Sequence, residues 1–300
     1  MAKFLSGFIA ILGRPNVGKS TLMNTFVGEK VAIVSAKPQT TRNKIQGVLT
    51  QDNYQIVFID TPGIHNPHNR LAEYMVKASY SALEEVEGVL LVLDAQTGIG
   101  RTDIFLLEHL QTRTKAPVIV AMNKIDAVQP ERLLEQLALL KQYSYIHAVV
   151  PVSAITQEGI DELKAVLFAL LPEGPKYFPD DMMTDQPERV LCAEFIREKA
   201  IQRMHDEIPH GIGVEIEQIR TREEGNIMDI HATIVCERET HKGMIIGKRG
   251  AMIRAIGESA RMDLEKLLDM HINLQLWVKV REDWRNSNAV LRDLGYYDAE

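Results

Sequence analysis

Apolar residues gather in short runs through the first half of the chain, at 8–12, 56–59, 89–93, 118–122 and 148–152. Runs this short have the length of buried strands rather than helices. Between them lie stretches with helical spacing of apolar positions, at 70–85, 102–111 and 132–142. Strands alternating with amphipathic helices predict βαβ units and a mostly parallel sheet with helices on both faces. The rhythm breaks near residue 172. Pro172, Pro175, Pro179 and Pro187 fall close together with Asp180, Asp181 and Asp185, and prolines at that density cannot sustain a long helix. Beyond the break come a helical segment at 188–205 and two runs of alternating polarity at 213–221 and 227–237. A glycine-punctuated segment, a helix at 251–268 and a strand at 272–280 complete the chain. The expected architecture is an α/β domain over 1–172, a proline-rich linker over 173–187 and a separate α+β domain over 188–300.

Composition narrows the class. The 300 residues are 45% hydrophobic and 25% charged, ordinary values that exclude disordered and fibrous chains and suit two folded domains. No apolar run approaches the ~18–20 residues of a membrane span. The apolar N-terminal run leads into a glycine-rich turn and reads as a first strand rather than a secretion signal. Cys192 and Cys236 match no metal-ligand spacing and read as buried, reduced thiols. A cytoplasmic protein is expected. The net charge of −7 argues against a polyanionic partner, but it is unevenly spread. Residues 1–172 hold 16 basic and 16 acidic side chains, and residues 173–300 hold 18 and 25. Within that acidic second half, residues 240–257 contain Lys242, Lys248, Arg249 and Arg254 and no acid.

Gly13-Arg14-Pro15-Asn16-Val17-Gly18-Lys19-Ser20 fits G-x-x-x-x-G-K-[ST] between a strand and a helix. Such a loop turns successive backbone N–H groups toward phosphate oxygens, and the helix N-terminus behind it adds its dipole. Lys19 is placed to reach the β- and γ-phosphates. Ser20, with Thr21 beside it, is placed to hold Mg²⁺. Asp60-Thr61-Pro62-Gly63 follows the second predicted strand; its carboxylate suits a Mg²⁺ shell, and Gly63 lets its own N–H approach a γ-phosphate. Asn123-Lys124-Ile125-Asp126 follows the fourth. The Asp126 carboxylate can accept from guanine N1–H and from the exocyclic amine, a pairing adenine cannot offer, and a site built on it penalises the wrong base. Each tetrapeptide alone also suits an ordinary turn; the three motifs in this order, each after a strand, point to a nucleotide.

With those residues in place, the first half resembles the GTPases of the translation-factor-related class. The resemblance implies GTP and GDP as ligands, Mg²⁺ as cofactor and hydrolysis of GTP. It extends to Val152-Ser153-Ala154, where the Ala154 N–H is expected to meet guanine O6, and to Gln39-Thr40-Thr41-Arg42, where Thr41 is expected as a second side-chain ligand of Mg²⁺. Ile64 stands directly after Gly63, where Ras-like GTPases carry a water-orienting Gln, so slow intrinsic hydrolysis is expected. GTPases lacking that Gln resemble one another in using K⁺ held by a phosphate-loop Asn, and Asn16 occupies that place. His65 is the rival for positioning water. Lys19, Asn16, Thr41 and Gly63 form the expected catalytic set.

In the second half, Ile245-Ile246-Gly247-Lys248-Arg249-Gly250 followed by Ile253 fits the I-G-x-x-G-x-x-I core of the KH module. In that module the glycine turn lies against a single-stranded backbone and clamps about four nucleotides. Lys248 and Arg249 suit phosphates, Lys242 and Arg254 add charge, and Ile246 and Ile253 suit bases. A solvated basic corner between two helices fits the bare G-x-x-G as well. The element order resembles the type II KH fold, and Trp277 and Trp284 read as core. One phosphate-loop domain followed by one KH domain resembles the Era-type GTPases. That resemblance implies a site near the 3′ end of 16S rRNA, a part in maturation of the 30S ribosomal subunit, and peripheral membrane association; a monomer is expected. Two other readings stay open: a membrane-associated signalling GTPase whose second domain binds protein, and an RNA-binding assembly factor whose nucleotide site is structural.

Overall fold

Val, Ile and Leu fill both faces of the central strands, as a sheet covered on two sides requires. The computed structural model describes residues 3–35, 37, 39–64, 67–205, 208–223 and 225–296; His65, named above, lies outside them. Six strands form the first sheet: β1 (Leu5–Leu12), β2 (Ile45–Gln51), β3 (Tyr54–Asp60), β4 (Gly88–Asp94), β5 (Val118–Asn123) and β6 (Ile146–Pro151). Their order is β2-β3-β1-β4-β5-β6, and all neighbours are parallel except β2, which runs antiparallel to β3. Five helices accompany them: α1 (Lys19–Val27), α2 (Arg70–Ser81), α3 (Arg101–Arg113), α4 (Pro130–Leu140) and α5 (Ile160–Phe168).

The period-2 alternation of β1 sorts the core into two layers. Ile9 and Ile11 pack with Leu22 and Phe26 of α1 and Leu163 and Leu167 of α5. Ala10 and Leu12 pack on the other face with Leu106, Leu107 and Leu110 of α3 and Leu140 of α4. Because β1 lies between β3 and β4, connections leave it toward opposite sides of the sheet. In open α/β sheets the crevice so formed at the carboxyl ends of the strands is where ligands bind.

Two features of the first unit depart from the sequence expectation. Strand β2 has no counterpart among the apolar runs, because it is an edge strand in which Gln46, Gly47 and Thr50 interrupt the apolar positions. The proline-rich segment is also no free linker. Residues up to Asp185 cluster with the first unit, and the second begins at Gln186. Glu173 bridges Leu5 and Thr184 bridges Gly47, both antiparallel. The fully buried Gln55 secures the middle: its Oε1 accepts from Tyr177 N (2.8 Å) and Phe178 N (3.0 Å), and its Nε2 donates to Phe178 O (2.9 Å). Prolines forbid a helix here but leave extended backbone whose remaining polar groups can pair with a sheet edge.

The second unit contains α6 (Glu188–Arg203), β7 (Gly213–Thr221), β8 (Ile227–Cys236), α7 (Glu239–Ile246), α8 (Ala251–Leu268), β9 (His271–Val280) and α9 (Asn288–Asp293). Two segments of the first half, Ile33–Thr40 and Pro67–Tyr74, cluster with it; Glu198 accepts from Val34 N (2.7 Å), and Arg197 donates to the Thr40 carbonyl. Its sheet has the order β7-β8-β9, antiparallel then parallel. Phe195 and Ile196 of α6 and Ile256 and Leu264 of α8 cover one face, against Ile230, Ala232 and Ile234. Trp284 is buried, as expected, and donates from Nε1 to Gly211 O (2.9 Å). Trp277 is not core: it is 46% exposed, because alternate residues of β9 turn away from the face the helices cover. Cys192 and Cys236 are free and buried, and burial pushes the Cys192 thiol up to about 12. No described helix is long and apolar enough to cross a membrane.

Gln55→Leu keeps the side-chain size but removes the partner of the Tyr177 and Phe178 N–H groups and of the Phe178 carbonyl, in hydrogen bonds that are only part-buried. The expected loss is about 1–3 kcal/mol in denaturant unfolding, with faster tryptic cleavage after Lys176; unchanged stability and cleavage would refute the account of this strap.

Candidate functional site

Strands β1, β3, β4 and β5 run parallel, so their carboxyl ends share one edge of the sheet. Each apolar run there closes on a polar residue or a turn: β1 on the loop Gly13–Ser20, β3 on Asp60, β4 on Asp94 and β5 on Asn123. The loop wraps around a buried ammonium. Lys19 Nζ donates to the carbonyls of Gly13 and Arg14, both at 3.1 Å. Burial pulls this amine down to about 8, against the opposing pull of Asp60. Asn16, exposed at the tip, has φ 65°, in the left-handed region that Asn tolerates better than most residues.

Ser20, Thr41 and Asp60 meet beside that ammonium. Ser20 Oγ donates to Asp60 Oδ2 at 2.5 Å and lies 2.9 Å from Thr41 Oγ1, which is 3.5 Å from the same carboxylate oxygen. Asp60 Oδ1 is buried with no hydrogen-bond partner among the described atoms. Burial pushes the Asp60 carboxyl up to about 6, although Lys19, Ser20 and Thr41 oppose the shift. Three hard oxygens around one unsatisfied carboxylate lone pair fit Mg²⁺, which takes one or two carboxylates and completes its shell with water and substrate phosphate. Among the described residues there is no cluster of three or more His, Cys, Asp or Glu to suggest another metal. Gly63 lies against the loop, where a Cβ would sit 2.7 Å from the Pro15 backbone nitrogen. Only glycine allows this approach.

Several side chains of the expected nucleotide motifs brace the loops that carry them. Thr61 donates to Ile11 O (2.7 Å) and Ile64 is buried in the sheet core; Val17 is core as well. Arg14 points away from the loop: its Nε donates to both oxygens of Asp103 (3.1 and 3.2 Å), and its guanidinium also donates to Thr97. Asn123 Nδ2 donates to Val17 O (2.8 Å), tying the guanine motif to the phosphate loop. The Ala154 N–H, expected at guanine O6, here donates to Asn123 Oδ1 (3.0 Å). Ser153 shapes the same turn, its Oγ accepting from Thr156 N (3.1 Å). Asp126 is exposed, as a carboxylate that accepts a base edge must be.

Sequence reasoning missed Asp94 and Asp103. Lys124 Nζ donates to Asp94 Oδ2 (2.7 Å) and to Asn16 O (2.8 Å), so Asp94 anchors the lysine that holds the loop tip. Asp103 is fully buried, receives Arg14 and accepts from Gly100 N (2.9 Å) at the start of α3. A usable signal existed for Asp94: an acid closing an all-apolar strand. None existed for Asp103, which looks like any acid in a first helical turn.

The second unit carries the basic turn. Gly247, Arg249 and Gly250 all have left-handed φ (71°, 52° and 78°), and a Cβ on Gly247 would lie 2.6 Å from that of Met252. The turn joins α7 to α8 and leaves Lys248, Arg249 and Arg254 exposed, while Ile245 is buried beneath. Beside it runs an open groove of about 420 Å³ whose lining combines Ile253, Leu274 and Leu276 with the charged Arg254, Glu258 and Arg261. Ile246 is half-buried. Lys242 lies 3.8 Å from Glu239, just outside the acid-free stretch.

Asp126→Asn replaces an acceptor pair by one acceptor and one donor, which suits the 2-oxo group of xanthine. The preference should move from GTP to xanthosine triphosphate by about 10²-fold, as read by competition for a fluorescent nucleotide. Retained preference for GTP would remove Asp126 from the base site.

Residues 8–124 match the family described as 50S ribosome-binding GTPase, and residues 207–285 match the KH domain family. GTPase Era of Alkaliphilus metalliredigens is 51% identical over 98% of this chain and 99% of its own length. GTPase Era of Clostridioides difficile is 52% identical at the same coverage. A crystal structure of Era in complex with MgGDPNP and nucleotides 1506–1542 of 16S ribosomal RNA superposes with a TM-score of 0.94 at 39% identity, covering 98% of this chain and 99% of that one. Together with the phosphate loop, the Mg²⁺ oxygens and the glycine turn, these likenesses place the molecule: this chain belongs to the Era family of GTPases.

Proposed function

We propose that this GTPase acts as a switch that binds single-stranded rRNA near the 3′ end of 16S rRNA and assists maturation of the 30S subunit. The observation that carries the RNA half is the Gly247–Gly250 turn, which presents the exposed Lys248 and Arg249 at the mouth of a groove whose lining mixes Ile253, Leu274 and Leu276 with Arg254, Arg261 and Glu258. The related Era crystallised with MgGDPNP and a 16S rRNA fragment supports the choice of partner. That basic turn also favours RNA over a membrane or protein partner. The acidity of the surrounding domain restrains binding to polyanions in general and leaves base contacts to set specificity.

In the nucleotide half, Lys19 exchanges its two carbonyl partners for phosphate oxygens, so a charge already buried is matched by an anion rather than by dipoles. Ser20, Thr41 and Asp60 are the side chains that would hold Mg²⁺, which would supply positive charge against the phosphates there. Thr41 reports the triphosphate, because it sits on a loop that can order or relax with the nucleotide. The Ile64 side chain can neither donate nor accept a hydrogen bond, and its backbone N–H is directed to the Gly13 carbonyl (3.3 Å), so no side chain at the position after Gly63 orients water. K⁺ held by Asn16 is the proposed charge-stabilising element in place of that residue.

Two measurements test the reading. In fluorescence anisotropy with a 3′-terminal 16S oligonucleotide, Lys248→Asp/Arg249→Asp should weaken binding by about 10²-fold or more, most at low salt; equal affinity would leave the chain a GTPase without its assigned partner. GTP turnover by wild type should rise several-fold when K⁺ replaces Na⁺, and Asn16→Ala should remove that response. A wild-type rate indifferent to the cation would exclude the K⁺ proposal alone.

A further inference from the structure

The helices α6 and α8 cover one face of the β7-β8-β9 sheet, and the register lines up polar side chains on the other. Arg220, Asp229 and Asn273 form one row across the three strands; Gln218, His231 and Gln275 form the next. Asp229 fixes the first row: Arg222 donates to both its oxygens (2.6 and 2.7 Å), and Asn273 Nδ2 donates to Oδ1 (2.7 Å). These side chains line an open hollow of about 610 Å³. One row further along β9 stands Trp277, 46% exposed, in T-shaped contact with His231 (ring centroids 5.5 Å, 69° between planes).

We propose that this face is a second surface for single-stranded RNA, on which a base stacks on Trp277 while Gln218, Gln275 and Asn273 read neighbouring base edges. The proposal rests on the RNA reading above and extends it to a region outside the glycine turn. Continuity supplies the occupant. Strand β9 is the edge of its sheet; Leu274 and Leu276 line the groove beside the glycine turn, and the alternate residues Asn273, Gln275 and Trp277 belong to the opposite face. A strand of RNA leaving the groove therefore reaches the open face by rounding a single β-strand. The chemistry agrees. Stacking needs one aromatic plane and tolerates any base, and amide side chains match base edges two bonds at a time. A protein hot spot would instead need aromatic or aliphatic anchors ringed by other packed side chains, and Trp277 is the sole large apolar side chain among the residues named on this face. The acids Glu223 and Asp229 offset Arg220 and Arg222, so binding here should depend on stacking and respond little to salt.

Trp277 reports on itself, because the other tryptophan, Trp284, is fully buried. Full-length protein is titrated with two RNAs from the 16S 3′ end: one of about four nucleotides, enough for the glycine turn alone, and one of about twelve, within the range single-stranded sites cover. The longer RNA should quench Trp emission and the shorter should not. Trp277→Ala should lose roughly 5- to 100-fold in affinity for the longer RNA only, Trp277→Phe should recover most of it, and Gln275→Ala should lose a smaller part without touching the indole. Absence of quenching, with wild-type affinity of Trp277→Ala for both RNAs, overturns this surface and leaves the glycine turn intact. Failure of wild type to bind either RNA overturns the RNA reading itself. Quenching by 30S proteins but not by RNA assigns the face to a protein and likewise overturns the proposal.

Discussion

A charge buried without a counter-ion of its own organises the nucleotide domain. Lys19 is held only by loop carbonyls and by the field of Asp60, and an ammonium out of water is tolerated only where dipoles converge on it. That convergence requires a closed loop. The loop is in turn anchored from outside: Arg14 on Asp103, and the Asn16 carbonyl on Lys124, which Asp94 secures. Arg14 is turned away from the loop to Asp103 and Thr97, so phosphate is offered backbone N–H groups and the Lys19 ammonium, whose present partners are carbonyls. The parallel order of the sheet makes this possible, because it delivers Asp60, Asp94 and Asn123 to the same edge.

The Mg²⁺ oxygens follow the same logic. Asp60 is held ionisable but uncomfortable: burial raises its carboxyl, one oxygen is engaged by Ser20, and the other has no partner among the described atoms. A divalent cation relieves both the unsatisfied oxygen and the unfavourable burial. Asn123 plays a different part from a base ligand here, joining the phosphate loop to the turn at Ala154 through one amide. Rigidity between the two ends of a nucleotide site is what lets binding at one end align the other.

The second unit solves the opposite problem. Its sheet is covered on one face only, so every strand must alternate, and the polar side of that alternation becomes available for recognition. The basic turn depends on three positive-φ positions within four residues, Gly247, Arg249 and Gly250, and it sets positive charge into a domain whose average is acidic. A net charge of −7 for the chain thus describes long-range repulsion and says little about what a patch of eighteen acid-free residues can bind.

Chemistry that depends on spacing was legible in the sequence. The phosphate loop, the strand-end Asp60, the Asn123–Asp126 segment and the glycine turn all act through neighbours in the chain, so residue type and interval define them. The central strands were legible for a related reason, since burial on both faces demands continuous apolar runs. What depends on neighbours distant in sequence was not. Strand β2 is held by pairing with β3, and the proline segment by Gln55, more than a hundred residues before it; neither leaves a local pattern. Nor could the sequence show that the Arg14 side chain is held by Asp103 and the Thr61 hydroxyl by the Ile11 carbonyl. Trp277 read as core because tryptophan usually is. Hydrophobicity tells a side chain that it prefers to be covered, but only the packing of α6 and α8 on one side of the sheet decided that, among the described residues of this unit, Trp277 lies on the side they leave uncovered.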